Sequence, residues 1–435
     1  MDGLRRGAHP KGGSHPLLAP NGRALHQSLV AMSLLLQLGA ATALASTDPP
    51  AGFRLFAPNG PWNLRADEAP LQRAGDYEGT PTHDSAAYID FLDEVVQETV
   101  IATSRWSLPL HFVDSRVTPG MTVGFTGEEG YDSGFLIRLN PVPIPAEAVS
   151  DPGETNHYPP SLSDIVPDRD LTDAHLCIID VNRQVEYDFW HLVKDASGQW
   201  VASAGTSIST TGSGVIADVP PDEFLDYARG TAVPLAAGVI LRQELAAGDI
   251  AHALLVTIPS SRNREGFYVW PGLRTDGYAS DSRALPEGAR LRLRWTEAEI
   301  EVRFQAGEIS AAGRTIALAL RRFGAYVVDN GGETHFGLQA QNISDVSGDH
   351  NHDAGSYGEL LDLDEDGYAS DLWMMRARDF EVVAFGYGRE LAAVPAAGPR
   401  AAALLLIGLV LLVRGAGLAT ATPEGGRSPS RSVRT

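Results

Sequence analysis

The chain has 435 residues, with 34 basic and 55 acidic side chains and a single cysteine, Cys177. One cysteine excludes an intrachain disulfide, and a core of about 350 residues can bury a sizeable apolar interior without one. The formal net charge of −21 repels phosphate backbones, which argues against nucleic acid as a partner. Neutral glycans, cations or polycations suit this surface better.

The N-terminal 45 residues have the organisation of a secretory signal peptide. Residues 29–45 are apolar, four basic side chains precede them, and the segment ends in the small-x-small pattern Ala43-Leu44-Ala45. Residues 1–45 are therefore predicted to be removed on export. Residues 46–82, which are rich in Pro, Gly and Asn, are predicted to form a linker or extended lead-in.

Two helices are predicted in the core. The first follows Asp84, whose carboxylate can cap it, and the second covers about residues 315–323 and ends at Gly324 in a left-handed cap. The buried face of the first helix is predicted from side chains at three-and-four spacing, which are Tyr88, Phe91, Leu92, Val95, Val96 and Thr99.

From residue 109 onward, short runs with period-two alternation predict β-strands. Residues 175–180, 185–193 and 199–205 are expected to form an antiparallel meander. Further strands are expected at 250–258, 267–270, 289–295 and 300–304, with a hairpin joining 325–328 to 334–338. Many short strands and few helices predict a mainly β protein, with an antiparallel β-sandwich over residues 83–390.

Several blocks of the core resemble a widespread group of secreted bacterial and fungal proteins. The blocks lie in order at residues 175–180, 187–191, 233–242, 250–254, 268–271, 288–293, 326–331 and 379–383. The resemblance spans about residues 84–383 and implies a jelly-roll-like sandwich. It supplies no catalytic residues, and the chain differs from the group by an insertion at about residues 342–371.

The insertion contains the strongest chemical motif, an acidic loop with oxygen ligands at alternate positions and a glycine that permits a sharp reversal. An EF-hand-like loop would carry an acid where this chain has Trp373, so an acidic, solvated loop is the alternative to a calcium site. The candidate calcium ligands are Asp362, Asp364, Asp366, Tyr368, Ser370 and Asp371.

Two further patterns are related to this loop. One repeats part of its sequence elsewhere in the chain, and the other lies a few residues before it. Residues 366–371 repeat the hexapeptide of residues 276–281, and the earlier copy is interpreted as a similar turn because it lacks the preceding Asp-x-Asp. His350 and His352, between two aspartates, could bind zinc or copper, with a solvated polar loop as the alternative.

Carbohydrate recognition is the function that the sequence favours. Aromatic rings stack on the apolar faces of sugars, and the aromatic candidates on predicted strands and turns are Trp190, Trp270 and Tyr278, together with Trp200. Ordinary packing in a sandwich core is the alternative for each of them. An extracellular or envelope polysaccharide is the expected partner.

A polysaccharide hydrolase or lyase is the second hypothesis. It requires two suitably placed acids, or a His or Tyr base beside an Arg, in one groove. A passive surface or matrix protein is the third hypothesis, and hydrogen-bonded histidines on a sheet face are the structural alternative for the histidine candidates. The catalytic candidates are Glu186, Asp188, His191, His252, Arg274 and Asp276.

The C-terminal region resembles the PEP-CTERM class of bacterial sorting tails. Val394-Pro395 is followed by an apolar run at 401–413 and then Arg414, although the chain reads Val-Pro-Ala-Ala where that class has Val-Pro-Glu-Pro. Thirteen apolar residues are fewer than the roughly 20 of a membrane-spanning helix. Residues 394–414 are therefore predicted to be a processed sorting segment, with a short membrane helix as the alternative, and residues 415–435 a polar tail. Both chain ends predict an exported protein of the cell envelope or extracellular space, handled by export and tail-processing machinery.

Overall fold

The computed structural model describes residues 48–103, 106–127, 134, 139–146, 148–150, 173–195, 197–216, 227–342, 357, 360–362 and 368–392. Ten strands lie in the N-terminal half of this part: β1 Gly75–Tyr77, β2 Thr80–Thr82, β3 Glu98–Ala102, β4 Leu108–Val113, β5 Gly124–Phe125, β6 Leu176–Asp180, β7 Val185–Trp190, β8 Val193–Lys194, β9 Trp200–Ala202 and β10 Ala204–Ser209. The later strands are β11 Leu254–Pro259, β12 Asn263–Tyr268, β13 Leu285–Glu287, β14 Arg290–Leu293, β15 Ala325–Gly331, β16 His335–Gln339, β17 Gln341–Asn342, β18 Tyr368–Ala369 and β19 Phe380–Val382.

Five α-helices are present in the same described residues: α1 Ser85–Asp93, α2 Arg242–Ala247, α3 Glu297–Gln305, α4 Ala311–Arg322 and α5 Arg389–Ala392. Within the described residues, none of the helices combines the length and apolar character that crossing a bilayer requires. The apolar run at 401–413 lies outside the described residues, as do residues 1–47 and the histidine pair at 350 and 352. Strands predominate over helices, so the prediction of a mainly β protein is confirmed.

Two large sheets organise the molecule. One has five strands in the order β10-β7-β6-β4-β17, and the other has seven in the order β18-β3-β16-β11-β15-β14-β19. Both sheets contribute to one core, in which Leu110 and Ile179 of the smaller sheet join Leu255 and Val328 of the larger one. Side chains alternate across a strand, so the neighbours of Leu255 along β11 face the other way.

The opposite face of the seven-stranded sheet is covered by helices. Leu254 and Val256 of β11 belong to a second core that includes Leu92 of α1 and Ile316 of α4. Fully burying each such side chain contributes about 1.5–3 kcal/mol relative to leaving it exposed. The outcome is a layer of helices on one side of the large sheet and the second sheet on the other.

The first helix is confirmed with a shifted end, and the meander is confirmed for its first two strands only. Asp84 caps α1 by accepting a hydrogen bond from the backbone N–H of Ala87 at 2.9 Å, but the helix ends at Asp93, because Thr99 already belongs to β3. The strands β6 and β7 are antiparallel neighbours, as predicted. The third strand, expected at 199–205, is wrong, because residues 200–202 form β9 in a separate three-stranded sheet and β7 pairs with β10 instead. The second predicted helix is α4, and Gly324 adopts the expected left-handed conformation with φ of 71°.

Three other expectations about strands are wrong. The sheets are mixed and not purely antiparallel, since β4 and β6, β3 and β16, and β11 and β15 are parallel pairs. The expected hairpin does not form, because β11 lies between β15 and β16. The strand expected at 300–304 is helix α3, which begins with a capping box between Thr296 and Glu299 that favours helix over strand.

Residues 46–82 are predicted to form a linker or extended lead-in, but the described part, residues 48–82, packs against the rest of the protein. They contain the β1–β2 ribbon, and Trp62 is only 1% exposed within the core between the two large sheets. Its indole ring packs edge-on against Tyr326, with ring centroids 5.0 Å apart. This segment is therefore an integral part of the folded core.

A glycine at the edge of the large sheet provides a test of this packing. Gly288 has a φ of 83°, and a Cβ atom there would lie against the carbonyl oxygen of Val269, whereas Gly248 has a φ of 73° with open space around it. Gly248→Ala is expected to cost about 1–2 kcal/mol for the left-handed backbone alone. Gly288→Ala is expected to cost a further 1–3 kcal/mol or so from overpacking, as measured by urea unfolding. Equal losses for the two variants would contradict this packing.

Candidate functional site

A polar cavity of about 460 Å³ lies on the face of the seven-stranded sheet. Residues of β3, β11, β15 and β16 line it, and the chain just before β6 supplies the opposing wall. Its titratable side chains are Asp173, His175, Asp329 and His335, and its amide side chains are Asn330 and Gln339. Concave sites that combine carboxylates, imidazoles and amides are typical of polar small-molecule and sugar binding.

Two glycines shape the floor of this cavity. A Cβ atom at Gly331 or at Gly337 would lie 2.4 Å from the hydroxyl oxygen of Thr257 on the intervening strand β11. Only glycine therefore lets β15 and β16 approach Thr257 so closely at this level of the sheet. Both glycines line the cavity and contribute no side chain to fill it.

Asp173 and His175 form the wall opposite the large sheet. The Asp173 carboxylate accepts a hydrogen bond from Nε1 of Trp190 at 3.3 Å, and Nε2 of His175 lies 2.7 Å from the carbonyl oxygen of Ala228. Burial lowers the pKa of His175 to about 4, so the imidazole is neutral at neutral pH. A carbonyl oxygen only accepts, so Nε2 carries the proton and Nδ1 of this neutral ring is an acceptor.

Asp329 of the cavity wall belongs to a group of three carboxylates that lie close together. Asp276, Glu287 and Asp329 each bring one carboxylate oxygen within 4.8 Å of the other two. Asn330 donates to Asp276 Oδ1 at 2.8 Å, and Asn263 donates to Glu287 Oε1 at 3.2 Å. We call these three residues the acid cluster. Glu287 is fully buried, and its Oε2 lacks a hydrogen-bond partner among the described residues.

The acid cluster retains protons at neutral pH. Burial, followed by repulsion from Asp276, raises the pKa of Asp329 to about 8 and the pKa of Glu287 to about 9. Burial also raises the pKa of Asp276. Like charges this close cannot all ionise unless protons or a cation neutralise them. Asp329, which also lines the cavity, is thus a carboxylic acid poised beside it.

A buried guanidinium lies beneath the cavity. Arg229 is 4% exposed, and its Nη2 donates to Gln339 Oε1 at 2.8 Å. Burial has the largest effect on the pKa of Arg229 and lowers it. The nearby carboxylates raise this pKa, and in decreasing order of effect they are Asp329, Asp188, Glu186 and Asp173. An arginine side chain keeps its charge in such surroundings, so it balances part of the surrounding negative charge.

Glu186 and Asp188, both catalytic candidates, are fully buried side chains that hold the loop carrying Arg229. Glu186 Oε1 accepts from the backbone N–H of Ala236 at 2.9 Å, and Asp188 Oδ2 accepts from that of Leu235 at 3.0 Å. Burial raises the pKa of Glu186 well above its ordinary range and that of Asp188 to about 6. Neither lines the polar cavity, so both are positioning residues and not candidates for contact with a substrate.

Cys177 lies beside these two carboxylates in the same buried cluster. Cys177 is a free cysteine, and burial raises the pKa of its thiol well above the ordinary value. A thiol held in the protonated form is a poor nucleophile and a poor metal ligand. The structure thus supports an inert packing role for Cys177.

The other catalytic candidates are not brought together. His191 is buried and its ring stacks on Trp190, while His252 pairs with Glu244 at 3.1 Å beside a different, apolar cavity. Arg274 lies near the acid cluster, where its charge lowers the pKa of Asp276 against the larger effect of burial. Only Asp276 of the six candidates belongs to the acid cluster.

The aromatic candidates lie on separate parts of the surface and core. Trp190 is half-buried and holds Asp173, Trp270 lines a small crevice with Phe385 and Tyr387, and Tyr278 is 73% exposed. Trp200 is buried. The polar cavity has one tryptophan of its own, Trp106, which the sequence patterns do not single out.

The predicted calcium loop is described only in part. Asp364 and Asp366 lie outside the described residues, and only the backbone of Tyr368 is described, as part of β18. Asp371 accepts hydrogen bonds from the hydroxyl of Ser310 and, at 2.8 Å, from the backbone N–H of Asp362. Ser370 donates its backbone N–H to the carbonyl of Asp362 at 3.1 Å. Asp371 thus ties the end of this loop to the start of α4.

The sequence patterns leave most residues of the site without a functional assignment, including Trp106, His335 and Gln339 of the cavity lining. Asp329 and Asn330 read as turn residues of a hairpin, while Asp173, Arg229 and Glu287 belong to no recognised motif. A usable signal is present nonetheless, because Asp173 lies three residues before the buried strand β6 and Asp329 lies near the end of β15. Polar side chains at strand ends commonly line sites.

Comparison of the chain with models of known protein families, with curated proteins and with solved structures found no match. No residue role is therefore transferred from another protein. The chemistry of the polar cavity follows from its own side chains.

The acid cluster predicts how stability depends on pH. Folded Glu287 keeps its proton up to about pH 9, while the unfolded chain loses it near pH 4.5, so the free energy of unfolding falls as pH rises between these values. The expected slope is about 1.4 kcal/mol per pH unit for each retained proton. Urea unfolding between pH 5 and pH 9 measures it.

Glu287→Gln is expected to flatten this slope, because an amide has no proton to retain. Glu265→Gln is the control, since Glu265 is exposed on the neighbouring strand β12. An unchanged slope in Glu287→Gln would contradict proton retention. A melting temperature that falls on adding a chelator and recovers with a divalent cation would show that a cation neutralises the cluster instead.

Proposed function

We propose that the protein is an exported polysaccharide-degrading enzyme that acts in the polar cavity, as a hydrolase of neutral glycans. The observation that carries the proposal is that Asp329, a carboxylic acid at neutral pH, lines the same cavity as a second carboxylate, Asp173. Glycoside hydrolysis requires such a pair, with one group as acid and the other as base or nucleophile.

Five residues of the polar cavity have roles in this proposal. Asp329 donates its proton to the glycosidic oxygen as the bond to the leaving sugar breaks. Asp173, held by Trp190, acts from the opposing wall as base toward a water molecule or as nucleophile toward the sugar. Asn330 and Gln339 supply amide groups for sugar hydroxyls, and Trp106 supplies a ring for an apolar sugar face.

Charge favours a hydrolase over a lyase. A lyase that eliminates across a uronic acid must neutralise the sugar carboxylate, which calls for a cation in the site. Among the described residues, no Lys or Arg lines the polar cavity, and Arg229 beneath it faces several carboxylates of the protein. A lyase is therefore the second candidate.

Export, the scaffold and glycan retention belong to the same proposal. The N-terminal leader and the PEP-CTERM-like tail support an envelope or extracellular location, where extracellular polysaccharide is the substrate. The two large sheets that share one core support a sandwich-like scaffold in the manner of the resembling secreted group. The exposed ring of Tyr278 supports a further glycan contact outside the cavity, and a passive matrix protein is the alternative if no glycan is cleaved.

The catalytic proposal predicts the effect of one isosteric substitution. Asp329→Asn removes the donated proton and is expected to lower kcat/KM by about 10²- to 10⁴-fold on neutral glycans. Reducing-end release from a glycan panel is the measurement, with Asp90→Asn on the exposed face of α1 as the control. Activity of the unchanged protein should fall as pH rises through about 8, since Asp329 loses its proton there.

Three results would contradict the hydrolase. Absence of products from every neutral glycan leaves binding or a matrix role, which a glycan-retention assay separates. Products with the ultraviolet absorbance of an unsaturated sugar identify a lyase. Equal activity in Asp329→Asn and Asp90→Asn removes Asp329 from the mechanism.

We also propose that the acidic loop binds calcium through Asp362, Asp364, Asp366, Tyr368, Ser370 and Asp371. Because binding to the folded state alone stabilises it, millimolar calcium is expected to raise the melting temperature. Asp364→Ala together with Asp366→Ala should abolish the rise, while magnesium at the same concentration should have a smaller effect. An equal rise in the double variant would contradict calcium binding at this loop.

A further inference from the structure

A second cavity, of about 290 Å³, adjoins the core between the two large sheets. It shares no lining residue with the polar cavity. The N-terminal segment at residues 52–63 forms one wall, and residues of β4, β6, the loop before α2, α2 itself and the segment before β11 form the rest. This second cavity, which we call the apolar cavity, plays no part in the proposed hydrolysis.

The interior of the apolar cavity is aromatic and aliphatic. Its buried walls include Phe56, Trp62, Leu110 and Ile179, each at most 3% exposed. Trp62 donates its Nε1–H to the carbonyl of Gly214 at 2.9 Å, so the polar edge of the ring is already satisfied. An enclosed apolar cavity of about 150 Å³ accepts a benzene ring, and this larger cavity has room for an alkyl chain.

The single amide that lines the apolar cavity has its partners within the protein. Asn63 Nδ2 donates to the carbonyls of Leu55, at 2.8 Å, and Ala57, at 3.1 Å, and its Oδ1 accepts from Arg54 Nε at 3.0 Å. Water would find few unsatisfied groups inside. An apolar occupant would therefore replace no strong hydrogen bonds.

The mouth of the apolar cavity carries positive charge. Arg54 is exposed there, with Nε bound to Asn63 and Nη2 bound to the carbonyl of Ala251 at 3.2 Å, which leaves Nη1 without a partner among the described residues. His252 lies at the same mouth, paired with Glu244. Burial lowers the pKa of His252, but Glu244 raises it more, so the net effect is an increase.

We propose that the apolar cavity binds an aliphatic carboxylate, with the alkyl chain against Trp62 and Leu110 and the carboxylate at the guanidinium of Arg54. The apolar walls account for the chain, and the exposed guanidinium of Arg54 accounts for an anionic head. The Nη1 group of Arg54 at the rim can donate a charge-assisted hydrogen bond to such a carboxylate, which is stronger than a neutral one. An exported protein would meet such molecules as free fatty acids or as lipid breakdown products.

Calorimetric titration of the purified protein with decanoate and with 1-decanol tests this site, because the two share a chain and differ in the head group. Decanoate is expected to bind once per chain and to raise the melting temperature. Arg54→Gln should weaken decanoate at least about tenfold while leaving decanol unchanged, since one charged hydrogen bond is lost. Arg73→Gln is the matched control, because Arg73 is exposed and does not line the apolar cavity.

A cavity-filling variant provides the second readout. Ala236 lines the apolar cavity and is 6% exposed, so Ala236→Leu should abolish binding of both ligands while the fold is retained. If that variant fails to fold, Arg54→Glu at the exposed rim serves instead, and it should abolish decanoate binding but not decanol binding. No heat or melting shift with either ligand, or equal decanoate affinity in the Arg54 variants and the Arg73 control, would overturn the proposal.

Discussion

The buried charge of Arg229 is the constraint on which the polar cavity depends. One guanidinium lies among carboxylates from both large sheets, namely Asp188 and Glu186 of β7 and Asp329 of β15, with Asp173 before β6. Burying so many acids is unfavourable unless they are paired, protonated or hydrogen-bonded. The structure uses all three means, because Arg229 supplies a cation, the acid cluster keeps protons, and backbone N–H groups reach Glu186 and Asp188.

This arrangement couples the scaffold to the chemistry. Leu235 and Ala236 are held by carboxylates of the five-stranded sheet, and the same loop carries Arg229 toward Gln339 at the cavity floor. Gly230 in that loop leaves room for the Asp276 carboxylate, since a Cβ atom there would lie 2.6 Å from it. The loop thus contributes to the position of the acid cluster relative to the sheet. A substitution at Glu186 or Asp188, which hold the loop, would therefore alter the geometry of the polar cavity.

Local sequence patterns predict the local elements well and the pairing of distant ones poorly. Asp84 marks the start of α1, and residues 175–180 and 185–193 mark the antiparallel pair β6 and β7. The hairpin expected across Asp329 fails because a turn sequence reports only the local backbone, and it cannot exclude a third strand from between its arms.

For the same reason, the sequence patterns identify few of the residues in the candidate site. Asp276, Glu287 and Asp329 come from three segments, and no spacing along the chain announces that their carboxylates meet. Burial then converts ordinary acids into proton-holding ones, which is a property of the assembled interior and not of a motif. Asp276 is the one member of the acid cluster among the catalytic candidates predicted from the sequence, where it is one of several acids.

The placement of β11 between β15 and β16 has a consequence for when the site can exist. Thr257 on the central strand is joined to Gly331 and Gly337 from segments made much later, and β3 at residues 98–102 completes the floor beside β16. Pairings of such long sequence separation form late, after the loops that connect them have closed. A chain still being synthesised, with residues beyond 330 not yet in place, has no floor to its cavity. The polar cavity therefore cannot form until the chain has been made to about the end of β16 at Gln339.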